Sequence, residues 1–131
     1  GIKHYFTVHK LEHELSGMYD NVAHGEGLSI LFLAWAKYVC PYHQSLFAKF
    51  AYDVMGVSTT TSFEQAARVG INRVEKYFES IGMPTRLSQL SITPKFFDDM
   101  ANKATNNNQA PVDGIKKLYK EDIIEIFKLA K

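Results

Sequence analysis

A single cysteine, Cys40, leaves the chain unable to close a disulfide on itself, so a reducing, cytoplasmic setting is the expectation. Neither sign of charge is in excess. With 15 Lys and Arg against 14 Asp and Glu, a net +1, nothing points to a nucleic-acid partner. The most apolar stretch, Leu28 to Cys40, is interrupted by Ser29 and Lys37 and is shorter than the roughly 18 apolar residues of a membrane span. No membrane partner is expected, and no leader with a basic start, apolar run and small-residue cleavage site is seen. Glycine-rich phosphate turns of the form G-x-G-x-x-G or G-x-x-x-x-G-K-[ST] are missing too, which excludes a parallel-sheet nucleotide fold built from these residues alone. Alternating strands, internal repeats and Pro-rich or Gly/Ser linkers are equally lacking. These absences leave one all-α domain.

What is present suits that class. At 131 residues the chain is about one domain long, and 46% hydrophobic residues, with 9 Phe, 7 Tyr and 1 Trp among the aromatics, are enough to fill a core. Val8, Leu11 and Leu15 recur at helical spacing within Tyr5 to Leu15, before turn chemistry at Ser16-Gly17 and Asp20-Asn21. Leu28 to Val39 is apolar nearly all round and predicts a central helix, with Pro41 ending it or starting the next. From Tyr42 to Met55, Leu46, Phe47, Phe50, Ala51 and Val54 form a stripe that stops at Gly56. Ser62 stands three before Gln65 as a capping box for Phe63 to Ile81, with Gly82 and Pro84 as the exit. Leu87 to Leu90 is at most one turn, and Thr93-Pro94 opens a helix holding Phe96, Phe97 and Met100. Asn106 to Gln109 reads as an exposed loop, Lys116-Lys117 as a solvated turn, and Lys120 to Ala130 as the last helix. The opening Gly1-Ile2-Lys3-His4 has neither an initiator Met nor a cap, so the chain is expected to be a piece of a longer protein.

Chemistry concentrates near the start. His4, His9, His13 and His24 precede the central helix, while His43 stands apart as a surface residue. His9 and His13, at i and i+4, leave one helix face about 6 Å apart along the axis. His24 follows a turn that can bring it back to the first helix. Neutral imidazoles ligate Fe(II) and Zn(II), so this is half of a metal site. The competing reading keeps all three as solvated or structurally hydrogen-bonded residues. Glu12, Glu14, Asp20 and Glu26 are available, but rotation by about 100° per residue turns Glu12 away from the His9/His13 face. No four-ligand set is complete. Cys40 lacks a flanking basic group and reads as an inert buried thiol; Trp35, Phe47 and Phe50 read as core.

The run from His9 to Leu28, HKLEHELSGMYDNVAHGEGL, continuing into Ala34-Trp35-Ala36-Lys37-Tyr38, resembles the iron-containing alcohol dehydrogenase family, in particular its butanol dehydrogenase-like branch. Gly70-Ile71-Asn72-Arg73, the stretch Ser80 to Leu90 and the closing Lys117 to Ile123 resemble the family's C-terminal region, so nearly the whole chain is covered. Two departures stand out. Leu33 takes the place of a Pro before Ala34-Trp35, and Tyr5-Phe6-Thr7-Val8 replaces small and acidic residues.

The resemblance implies the helical C-terminal domain of a dehydroquinate synthase-like fold, with residues 1–131 one metal-binding domain and the N-terminal α/β nucleotide-binding domain absent. It implies an oxidoreductase that interconverts primary alcohols and aldehydes by hydride transfer, a homodimer at full length, and inactivity of the isolated chain. By it, His9 and His24 are metal ligands, for Fe2+ first and Zn2+ as the alternative. His13 lies beside the nicotinamide and relays the proton. Two further ligands, and most of the NAD(P)H site, have no counterpart here. The rival expectation is a metal-free helical interaction or oligomerisation module.

Overall fold

The helix that is apolar all round becomes the centre of the molecule. In the computed structural model, which describes residues 2–131 and their side chains from residue 7 onward, it is α2 (His24–Val39), with Ile30, Leu31, Ala34, Trp35 and Val39 buried along it. Around it come α1 (Ile2–Met18), α3 (Gln44–Asp53), α4 (Phe63–Ser80), α5 (Phe97–Ala104) and α6 (Lys120–Ala130), with 3-10 turns at Cys40–Tyr42, Leu87–Leu90 and Pro94–Phe96. Helices α1, α4 and α6 lie against α2; α5 touches α1 and α6, and α3 pairs with α4. No strand occurs among the described residues. One isolated antiparallel bridge, Val112 to Leu118, ties off the loop before α6. The all-α expectation is met.

Differences from the sequence reading have local causes. Helix α1 runs through Ser16 and Gly17 because the Ser16 hydroxyl turns back onto Glu12, and the chain leaves the helix only before the Asp20-Asn21 turn. Helix α3 is shorter than Tyr42 to Met55: Pro41 initiates a separate 3-10 turn, and His43 breaks from helical geometry with φ −156° and ψ 61°. Gly56 does take the left-handed conformation, at φ +70°. Ser62 Oγ accepts the Gln65 amide at 3.3 Å, while the Gln65 side chain bonds Arg68 instead of closing the box. Helix α6 keeps its expected bounds. Leu33 sits buried in an unbroken α2, so the missing proline leaves no kink. The Gly1 start and the side chains of His4, Tyr5 and Phe6 lie outside what is described.

The stripe assigned to α3 is only half core. Phe47 and Ala51 are buried, but Leu46, Phe50 and Val54 are 36%, 37% and 65% exposed. The small residues decide which face is buried. A Cβ at Gly70 would lie 2.6 Å from Ala51 Cβ, so α3 and α4 approach through Ala51 and Gly70 and turn Leu46 and Phe50 outward.

Lys116 is likewise not in a solvated turn. Its ammonium lies 3.2 Å from Asp122 and over the Tyr42 ring. Asp122 also accepts the Tyr38 hydroxyl at 2.5 Å and the Tyr119 amide at 2.9 Å, clamping α2 to α6. Burial works against the Asp122 charge, yet the Tyr38, Tyr119 and Lys116 donors outweigh it and hold the carboxyl below its usual range. A depressed folded-state pKa contributes stability that is complete above the unfolded value of about 3.9 and is lost as pH falls through the lower folded value. Asp122→Asn should therefore lower the thermal midpoint at neutral pH, and the gap to wild type should close in strong acid. Thermal unfolding of both proteins from pH 7 to pH 2 measures it; a gap that does not narrow in acid would contradict the assignment.

Candidate metal centre

The helical wheel of α1 sorts its polar residues by depth. Measured from Leu15, in the middle of the buried stripe, Glu12 is rotated about 60°, His9 about 120° and His13 about 160°. The structure follows that order: Glu12 is 1% exposed, His9 is half-buried and His13 is exposed. The expectation that Glu12 points away is therefore corrected. Its rotation from His13 carries it towards α2, not into solvent.

His24 is the first residue of α2, and the turn after α1 returns it to the first helix. Its ring meets the His9 ring edge to face, with centroids 4.8 Å apart and planes at 72°. Behind it, Nδ1 of His24 bonds Oε1 of Glu12, whose second oxygen accepts the Ser16 hydroxyl. Gly27 makes this possible. A Cβ there would lie 2.3 Å from Glu12 Oε2, so only a bare backbone leaves room for the carboxylate between the helices. The next turn of α2 is fixed by Ser29, which donates 2.7 Å to the Pro84 carbonyl and brings the Gly82-Met83-Pro84 loop alongside. Met83 reaches within 3.9 Å of the position a Gly25 Cβ would occupy.

Two imidazoles bound to one ion at about 2.1 Å per nitrogen hold their ring centres roughly 5 Å apart, so the His9/His24 pair has a separation that one divalent ion can bridge. A carboxylate on the far nitrogen of a ligating histidine is also a recurring feature of metal sites. Among the described residues no group of three or more His, Cys, Asp or Glu is arranged to hold an ion. The chain offers a pair. The exposed ring of His13, at the rim of the same helix, is not part of it.

Among the described residues, the other candidate features lie away from this pair. A cavity of about 580 Å³ lies at the opposite end of α2, lined by Cys40, Pro41, Glu64, Arg68 and Ile71 among others. At 1.5 Å per residue the length of α2 puts it roughly 20 Å from His24. Burial pushes the Cys40 thiol up, against a smaller opposing pull from Arg68, in keeping with an inert core cysteine. His43 is exposed before α3, as expected.

The sequence model of the Fe-containing alcohol dehydrogenase family, C-terminal, matches residues 2–131. The chain belongs to this family. Among alcohol dehydrogenases of known sequence it is 32% identical over 126 residues to NADH-dependent butanol dehydrogenase A of Clostridium acetobutylicum, covering 94% of this chain and 32% of that protein. It is 31% identical over 124 residues to 1,3-propanediol dehydrogenase of Citrobacter freundii, covering 94% and 31%. The crystal structure of NADH-dependent butanol dehydrogenase A from Thermotoga maritima superposes with a TM-score of 0.85 at 31% identity, over 95% of this chain and 32% of that one. This member of the iron-containing alcohol dehydrogenase family thus spans about a third of the length of the relatives it matches, and the part it spans is the helical C-terminal domain. No helix among its described residues is long and apolar enough to cross a membrane.

Proposed function

We propose that the chain is the metal-holding helical domain of an NAD(P)-linked alcohol dehydrogenase that interconverts primary alcohols and aldehydes. The observation that carries this reading is the His9/His24 pair, its rings 4.8 Å apart across two helices of a family whose relatives include NADH-dependent butanol dehydrogenases. His9 and His24 hold the divalent ion, Fe2+ in the first instance and Zn2+ as the alternative, since imidazole suits both. An ion held there would supply Lewis-acid polarisation of the carbonyl oxygen, and a bound nicotinamide would supply hydride. His13 holds the proton that this oxygen needs on becoming an alcohol, and its exposed imidazole is the kind of group that can donate and accept one. Most of the nucleotide site belongs to an N-terminal α/β domain outside these residues, two further metal ligands come from an earlier helix that is also outside them, and the whole enzyme is a cytoplasmic homodimer.

The test compares the 131-residue chain with the full-length protein, each metal-loaded, using butanal and NADH or NADPH. Turnover is expected from the full-length protein and none from the chain alone. Substantial turnover by the chain would show that the nucleotide site was misplaced; an inactive, metal-replete full-length protein, tried across a series of straight-chain aldehydes, would overturn the reaction class.

One observation favours a second reading. The exposed Leu46, Phe50 and Val54 of α3 would suit a metal-free interaction module. Elemental analysis of the purified full-length protein separates the two, since a docking module would carry no stoichiometric metal.

A further inference from the structure

We infer that Glu12 is a positioning residue for the metal centre: it fixes His24 as the Nδ1–H tautomer and aims the Nε2 lone pair into the space shared with His9. This rests on the reading of His9 and His24 as ligands, and it assigns a role to a residue that carries none in that reading. The argument begins with burial. A carboxylate at 1% exposure between two helices loses its water and persists only where donors replace it. The structure provides two. Ser16 Oγ donates to Oε2, and His24 Nδ1 lies on Oε1.

An ionised carboxylate only accepts, so the proton in the second bond must sit on Nδ1 of the imidazole. In the neutral ring that leaves Nε2 with the lone pair, and Nε2 is the nitrogen turned away from Glu12. The niche is specific. Gly27 is the residue whose side chain would otherwise fill it, with its Cβ 2.3 Å from Oε2. His24, at the first position of α2 and 51% exposed, has little packing to hold its ring and depends on this bond for orientation. A merely structural contact between α1 and α2 would be satisfied equally by an imidazolium, which carries a proton on both nitrogens. A metal ligand would not, because a proton on Nε2 sits where the ion must bind.

The experiment reads the tautomer and the metal separately. In the 15N-labelled chain at about pH 8, long-range 1H–15N correlation is expected to show His24 with a protonated Nδ1 and an unprotonated Nε2. Observing Nε2–H in the wild-type chain would overturn the inference without any variant being made. In Glu12→Gln, which keeps the shape of the side chain, the amide can turn its NH2 group to the ring, so the Nδ1–H form is expected to lose its dominance. Zn2+ affinity, measured by competition with a chromophoric chelator, should fall about 10–100-fold, while far-UV circular dichroism stays that of a folded helical protein. If Glu12→Gln leaves the His24 tautomer and Zn2+ affinity within twofold of wild type, Glu12 has no positioning role. Failure of the underlying reading looks different: His9→Ala and His24→Ala would then leave Zn2+ affinity unchanged, whatever the tautomer in the wild-type chain.

Discussion

His24→Ala and His9→Ala, each purified as the full-length protein, are expected to lose their stoichiometric metal and with it all turnover, whereas His13→Ala is expected to keep the metal and lose turnover alone. The difference follows from position on the wheel of α1. His9 faces the His24 ring, while His13 stands about 40° further round and is exposed. A ligand removed from a site this sparse takes the ion with it. Removal of a positioned general acid slows proton transfer by about 10²–10⁴-fold and leaves the site filled. Elemental analysis beside steady-state kinetics reads both quantities in the same samples. Should His13→Ala empty the site while His24→Ala retains its metal, the two roles have been exchanged.

Phe127→Ala is expected to cost about 3–5 kcal/mol of folding stability, enough to unfold a large share of a typical domain's margin. Phe127 is 0% exposed on α6 and stacks on Phe97 of α5, centroids 5.4 Å apart. The ring fills the layer between α6 and α5, and its removal leaves a void at that contact. Urea titration followed by circular dichroism measures the loss, with Leu129→Ala as the comparison: Leu129 is on the same helix but 44% exposed, and its loss should cost well under half as much. Equal losses at the two positions would mean that α6 is not anchored through Phe127.

The central helix and α6 were legible in the sequence because composition alone settles them: an all-apolar run has nowhere to lie but the middle, and Lys120 to Ala130 combines a clear stripe with an acidic first turn. The return of His24 to the first helix was legible from the short turn, but the i, i+4 spacing drew His13 into the same site, and the structure pairs His24 with His9 and leaves His13 exposed. Glu12 was not, because its depth depends on α2 being beside it, and on Gly27 in particular, and a wheel centred on the histidines hides that. The outward row of α3 escaped for a related reason. Hydrophobicity ranked Leu46 and Phe50 as core, but the closest approach in that pair of helices belongs to Ala51 and Gly70, whose smallness carries little weight on any apolar scale. Ser16-Gly17 looked like a stop, and a hydroxyl bonded one turn back let the helix pass through.

The two ends of the described chain are knitted together: Thr7 donates its hydroxyl to the carbonyl of Asp113 at 2.5 Å, and α6 covers the flank of α2. On the ribosome these partners emerge far apart in time. The stretch from Val39 to Lys120 takes several seconds to make at roughly 5–20 residues per second, and throughout that interval α1 and α2 can pair with each other but not with the helix that closes them. A nascent chain in this state presents the flank of α2 that α6 later covers, an apolar surface of the kind that holding chaperones bind. Early pairing of α3 with α4, which needs only neighbouring sequence, shortens the exposed time on one side alone. The yield of folded protein is thereby tied to how promptly α6 arrives.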